Sequence, residues 1–296
     1  MSLKRIFKFA KPKNPGYGIS TGFYLSVLAG RPQMPSPLEV AHPKAEGGAV
    51  EGLIAPLMPG ATKEDLSRPM GRGVYALASR DQKTVIKVRV LSKEEAGFDP
   101  EALARSPFAS MVDGEALARI RATWTLVQLT FESHDAMISP AMAFLNLAAK
   151  RLAELTDGVV ADPIAQKYML PAQVPSIPAE DLPRALDHLS IRLAERNGVR
   201  VAFTLGMQKF VLPELEIRDL SADESRSAEI VLASVAQEML NGTKIEPGDR
   251  VGTFEAGPGG LDRGQWEGIP VLELIPPRGK SVSACLEDWL LELKQT

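Results

Sequence analysis

From Thr123 onward, apolar and polar positions fall into short regular runs. "TWTLVQLTF" (Thr123 to Phe131) alternates with the two-residue period of a strand. Ser139 and Pro140 then offer a helix N-cap and a proline at the first helical position. Met142, Leu145, Ala149, Leu152 and Leu155 recur at helical spacing, and Asp157-Gly158 ends that helix before the strand "VVAD". A second helix is predicted on the stripe Leu182, Leu186, Leu189 and Leu193, stopping at Asn197-Gly198, where "VRVAFTL" begins a strand. A third carries Val231, Leu232, Val235 and Met239, starts at a capping-box pattern on Ser221 and Glu224, and ends at Asn241-Gly242. "IPVLELIPP" reads as an edge or terminal strand because prolines bracket it. The last helix, Val282 to Leu293, has Leu286, Trp289, Leu290 and Leu293 as its expected core face.

The first half is less regular. "AVEGLIAPLM" suits a strand, "GVYALAS" and "KTVIKVRVL" a hairpin turning across Ser79 to Gln82, and "DPEALARSPF" and "DGEALARIRA" two short helices. Residues 1–50 are rich in Pro, Gly and Lys with neither period, and are expected to form an extended basic arm. The pattern predicts an α+β fold, a mixed and largely antiparallel sheet with helices packed on it, with two similar α/β halves as an option. The expected divisions are 1–50, 51–122 and 123–296, with 51–296 as one domain the alternative.

"FTLGMQKFVLPELEIRDL" (Phe203 to Leu220) reads as two strands, broken at Gly206 by a bulge or a close backbone approach and at Pro213 by an edge position or an interruption. Glu214 and Glu216 stand two apart, on one face of a strand. Such a pair either holds a metal or divides acid and base work, or it is a solvated face.

Composition narrows the classes. A chain of 296 residues, 45% hydrophobic and 24% charged, buries a core without disulfides or structural metal. Its formal charge of -3 gives no chain-wide attraction to nucleic acid, and none is expected as a partner. Cys285, the single cysteine, excludes an internal disulfide and a cysteine-based zinc site. The basic start, Lys4 to Lys13, precedes the apolar "ISTGFYLSVLAG" in the outline of a signal peptide. Pro12, Pro15 and the glycines interrupt it, so a cytoplasmic chain without a membrane span is expected.

Candidate chemistry is sparse. "GISTG" (Gly18 to Gly22) matches a nucleophile elbow with Ser20 as nucleophile and His42, His134 or His188 as base, but "KPKNPGY" before it is no buried strand. "FESHDAM" gathers Glu132, His134 and Asp135 at a strand-to-helix junction, where Asp157 or Asp162 would complete a metal or acid-base site. The same residues suit a loop leading into a helix. His188 reads as a boundary residue. Gly71 to Gly73 and Gly257 to Gly260 lack the lysine and the strand-to-helix setting of phosphate loops. No cofactor is expected.

The phrase "TLGMQKFVLPELEI", with "LAELTDGVVADP" before it and "LNGTKIEPGDRVG" after it, resembles bacterial families known only as domains of unknown function. In these a similar Gly-Met-x-x-Phe-x-x-Pro-Glu-Leu-Glu follows a strand and a helix. The resemblance spans roughly residues 120–275, with Val211 where a glycine is expected, and it implies an α+β domain with no catalytic residues to carry over. The expected function is a non-catalytic binding or protein-interaction module, its partner another protein. A metal-dependent or serine hydrolase is the alternative.

Overall fold

A computed structural model of the chain describes residues 16–41, 52–55, 62–79, 81–133, 138–176, 182–196, 198–260, 266 and 268–295. The fold is α+β, with two mostly antiparallel sheets. Two compact units divide it, Thr21–Asp181 and Met1–Ser20 together with Leu182–Thr296. Among the described residues no helix is long and apolar enough to cross a membrane.

Thr21–Asp181 contains β1 (Tyr24–Ala29), α1 (Pro37–Ala41), β2 (Gly52–Ala55), α2 (Lys63–Ser67), β3 (Gly73–Ser79), β4 (Thr84–Ser92), α3 (Pro100–Arg105), α4 (Gly114–Arg121), β5 (Thr125–Ser133), α5 (Ile138–Leu155), β6 (Val159–Asp162) and β7 (Lys167–Met169). Its strands lie in the order β2-β3-β4-β5-β1-β6-β7, every pair antiparallel. The expected β3–β4 hairpin is present. A boundary at 122/123 would separate β4 from β5, which pair from Thr84↔Ser133 to Ser92↔Thr125. The expected arm, moreover, contains β1, an interior strand. Both faces of β1 are buried: Leu28 meets α4 through Ala116 and Ile120, and Leu25 and Val27 point the other way, toward α5. Strands covered on both faces lose the alternation that betrays them in sequence.

α5 buries Met142, Leu145, Ala149 and Leu152, as their spacing predicts. Asp157 takes the left-handed turn that ends it (φ 50°) and pairs with Arg31. Gly158 is required for another reason, because a Cβ there would lie 2.6 Å from the Leu28 carbonyl oxygen of β1.

The other unit contains α6 (Ala185–His188), β8 (Ser190–Arg196), β9 (Val199–Leu205), β10 (Glu214–Ile217), α7 (Ser225–Leu240), β11 (Arg250–Val251), β12 (Phe254–Pro258), β13 (Val271–Ile275) and α8 (Val282–Lys294). The order is β11-β12-β13-β10-β9-β8, with β10 and β13 parallel. α7 covers one face of β8, β9 and β10. Phe203, Val271 and Trp266 pack together on the other.

One expectation is corrected here. The helix predicted over 182–197 is one turn, α6, followed by a strand. β8 and β9 pair antiparallel down to Arg196↔Val199; Asn197 lies outside the described residues, and Asn-Gly as a dipeptide suits a hairpin turn as well as a helix end. Leu186 and Leu193 of the supposed stripe are exposed. β13, expected as an edge or terminal strand, is the last strand among the described residues but lies between β12 and β10; Pro270, Pro276 and Pro277 fall just outside it, and the Pro270 carbonyl accepts from Glu214 N–H.

α7 and α8 fall close to their predicted spans, but Ser221 does not cap α7 by its hydroxyl, which donates to Asp223. α8 buries Cys285, Leu286 and Trp289 and leaves Leu293 partly exposed.

Candidate binding cleft

The stretch from Phe203 to Leu220 does more than form two strands. β9 stops at Leu205, Gly206 turns at φ 124°, and Met207–Phe210 forms one 3-10 turn before β10 begins at Glu214. One carboxylate braces this connection. Glu214, fully buried, accepts from the Thr204 hydroxyl at 2.6 Å and from the N–H groups of Gly206 (2.8 Å) and Gln208 (3.2 Å). Thr204 Oγ1 in turn accepts from Leu215 N–H at 2.8 Å, replacing a ladder bond.

Glu216 is buried as well, and its Oε1 accepts from Gly260 N–H at 3.0 Å. The Gly259 backbone passes so close that a Cβ would stand 3.2 Å from that oxygen. The two glutamates are therefore no solvated face: each holds a main-chain segment in place. Gly259 and Gly260 are explained by this close approach, and Gly257 by the Ile275 side chain that a Cβ would run into, rather than by phosphate binding.

The 3-10 turn is pinned from three sides. Lys209, fully buried, donates through Nζ to the His188 carbonyl, and its own carbonyl accepts from Ser20 N–H at 2.7 Å. Phe210 meets the Tyr17 ring edge-on at 5.9 Å and the His188 ring at 5.7 Å. His188, expected at a boundary, is buried. The Tyr17 hydroxyl donates to the Leu240 carbonyl at 2.7 Å, and burial pushes its phenol far above the usual range. Gly16 to Ser20 is thus fastened to this unit.

With the turn so held, the chain must reverse at Val211. Its N–H donates to the Gln208 carbonyl and Leu212 N–H to that of Met207, with Val211 at φ 56°, ψ 32°. Glycine ordinarily occupies such a left-handed cap, and a β-branched residue there is an outlier. The side chain is 65% exposed.

Beside it opens a cleft of about 490 Å³. Tyr17, Leu212, Pro213, Met239 and Ile245 give it apolar walls, and Lys244 and Glu246 are its exposed charged residues. Its size is that of ligand pockets.

The sequence-predicted chemistry lies elsewhere. Ser20 follows an irregular segment and precedes the turn Thr21-Gly22 and then β1, so the strand–turn–helix of a nucleophile elbow is not its setting. Glu132 is exposed and pairs with Lys87 at 3.2 Å. Asp162 is buried, its Oδ1 accepting from Ala165 N–H at 3.0 Å. Pairing of β1 with β5 (Tyr24↔Thr130) and with β6 (Ser26↔Ala161) puts Glu132 and Asp162 on opposite faces of the sheet. Asp157 is bound to Arg31. His42, His134 and Asp135 lie outside the described residues. Among those described, no three His, Cys, Asp or Glu are grouped to hold a metal.

Comparison with protein-family models, with curated proteins and with solved structures gives no match.

The cleft escaped the sequence reading because its walls come from 16–18, 211–213 and 239–246. Its one marked residue is Val211, a β-branched side chain at a left-handed cap that ordinarily takes glycine.

Proposed function

We propose that this chain is a non-catalytic binding module that engages another protein at the cleft beside Val211. The observation that carries the reading is Val211 itself. A left-handed conformation costs an L-residue about 1–2 kcal/mol, and a side chain this exposed returns little of that through burial. Glycine would serve the turn better. What valine adds is an apolar knob at the cleft, where an occupant would desolvate it.

A net charge of -3 favours a protein over a nucleic acid as occupant. The buried thiol of Cys285, pushed up by desolvation, is in keeping with a structural cysteine in the reducing cytoplasm. Membership of the domains of unknown function that the Gly206 to Glu216 phrase resembles is part of the same proposal.

Photo-crosslinking tests it. A benzophenone side chain at position 211, expressed in the native host, is expected to give a discrete adduct that the same group at the exposed Val74 does not. Identical adducts at both positions, or none at 211, would refute the reading. So would hydrolysis of p-nitrophenyl acetate that disappears in Ser20→Ala.

A further inference from the structure

We propose that the occupant of the cleft is a second copy of this chain, bound about a two-fold axis with the Val211 corner of each copy seated in the cleft of the other. This rests on the reading of the cleft as a protein-binding site and names its partner. A two-fold contact uses the same patch on both sides, so the patch must be complementary to itself. This one is, in shape and in charge. Val211, a projecting apolar knob, stands beside an apolar hollow walled by Leu212, Pro213, Met239 and Ile245.

Lys244 and Glu246, two residues apart, are both exposed, and among the described residues neither has an ion-pair partner. An axis running between them brings Lys244 of each copy to Glu246 of the other, so both pairs form at once. Opposite charges beside an apolar centre are the rim of a specific interface, and they set register more than strength.

Sedimentation of the full chain, at up to about 200 µM to reach weak complexes, tests it. The wild type is expected to approach twice its mass of 32.0 kDa. Lys244→Glu and Glu246→Lys each replace two attractions by two repulsions and should weaken association about tenfold or more. The double variant restores both pairs with the signs exchanged and should return to wild-type strength. The two single variants, each dissociated alone, should associate when mixed. Val211→Asp should abolish association.

A wild type that stays monomeric overturns the proposal, as do a dimer indifferent to the single variants and single variants that stay apart when mixed. If the chain is monomeric but position 211 crosslinks to a different protein, the self-partner is wrong and the binding reading stands. If neither occurs, both fall.

Discussion

Glu214→Ala should be among the most damaging single substitutions in the six-stranded unit. It withdraws one acceptor from three donors at once, the Thr204 hydroxyl and the N–H groups of Gly206 and Gln208. The first two bonds are fully buried and the third partly so. A buried donor left without an acceptor costs about 1–3 kcal/mol, and water can reach Gln208 more readily than the others. The sum is about 4 kcal/mol, within the range found when one partner of a buried charged network is removed. Glu214→Gln keeps the shape and one carbonyl oxygen that still serves both N–H groups. Its amide nitrogen takes the place of the oxygen that accepts from the Thr204 hydroxyl, so it should cost that one bond and the charge assistance of the other two, about 2 kcal/mol. Urea unfolding followed by tryptophan fluorescence reads this unit selectively, since Trp266 and Trp289 are buried in it whereas Trp124, in the other unit, is 59% exposed. The transition midpoint should fall steeply for Ala and modestly for Gln at an unchanged slope. An Ala variant within about 1 kcal/mol of wild type, or a Gln variant as damaged as Ala, would show that the carboxylate does not brace the turn.

Three further outcomes are expected. Gly252→Ala should destabilise by about 3 kcal/mol, because φ is +58° and a Cβ would run into the buried Trp289 ring; a thermal shift of under a degree or two would contradict this. Val211→Gly should leave stability unchanged or raise it by up to about 1 kcal/mol, strain relief exceeding the entropy of a new glycine, while weakening association; a clear loss of stability would mean that valine serves the fold. Tyr17 keeps its proton in the folded state at a pH where the unfolded chain releases it, so its contribution is intact below about pH 10 and declines as the pH rises further. The stability gap between wild type and Tyr17→Phe should therefore narrow above pH 10 in urea titrations, and a gap that widens there would reverse the assignment.

How much of this was legible depended on the distance over which each feature is decided. α5 was readable because its stripe and the left-handed break after it are local. β8 was misread because Leu182, Leu186, Leu189 and Leu193 fit helical spacing while "SIRLAER" also suits a strand, and Asn-Gly serves both a helix end and a hairpin. Only pairing with β9 separates the two. The burial of Glu214 was written nearby, in the donors at Thr204, Gly206 and Gln208, but nothing marks those donors in advance. That of Glu216 depends on Gly260, 44 residues away. Glu132 and Asp162 looked like partners along the chain and are separated by strand register, which a single sequence does not display.

The fastening of Gly16 to Ser20 onto the six-stranded unit also sets an order of events during synthesis. Tyr17 leaves the ribosome 223 residues before Leu240, the carbonyl its hydroxyl binds. At ordinary translation rates it waits roughly 10–45 s for that partner. The whole of Thr21–Asp181 emerges in between, with every strand of its sheet present, and is able to fold first. The early segment can complete its docking only after α7 has emerged. A pause or truncation before Leu240 would leave Tyr17 and the apolar residues beside it open to whatever the nascent chain meets.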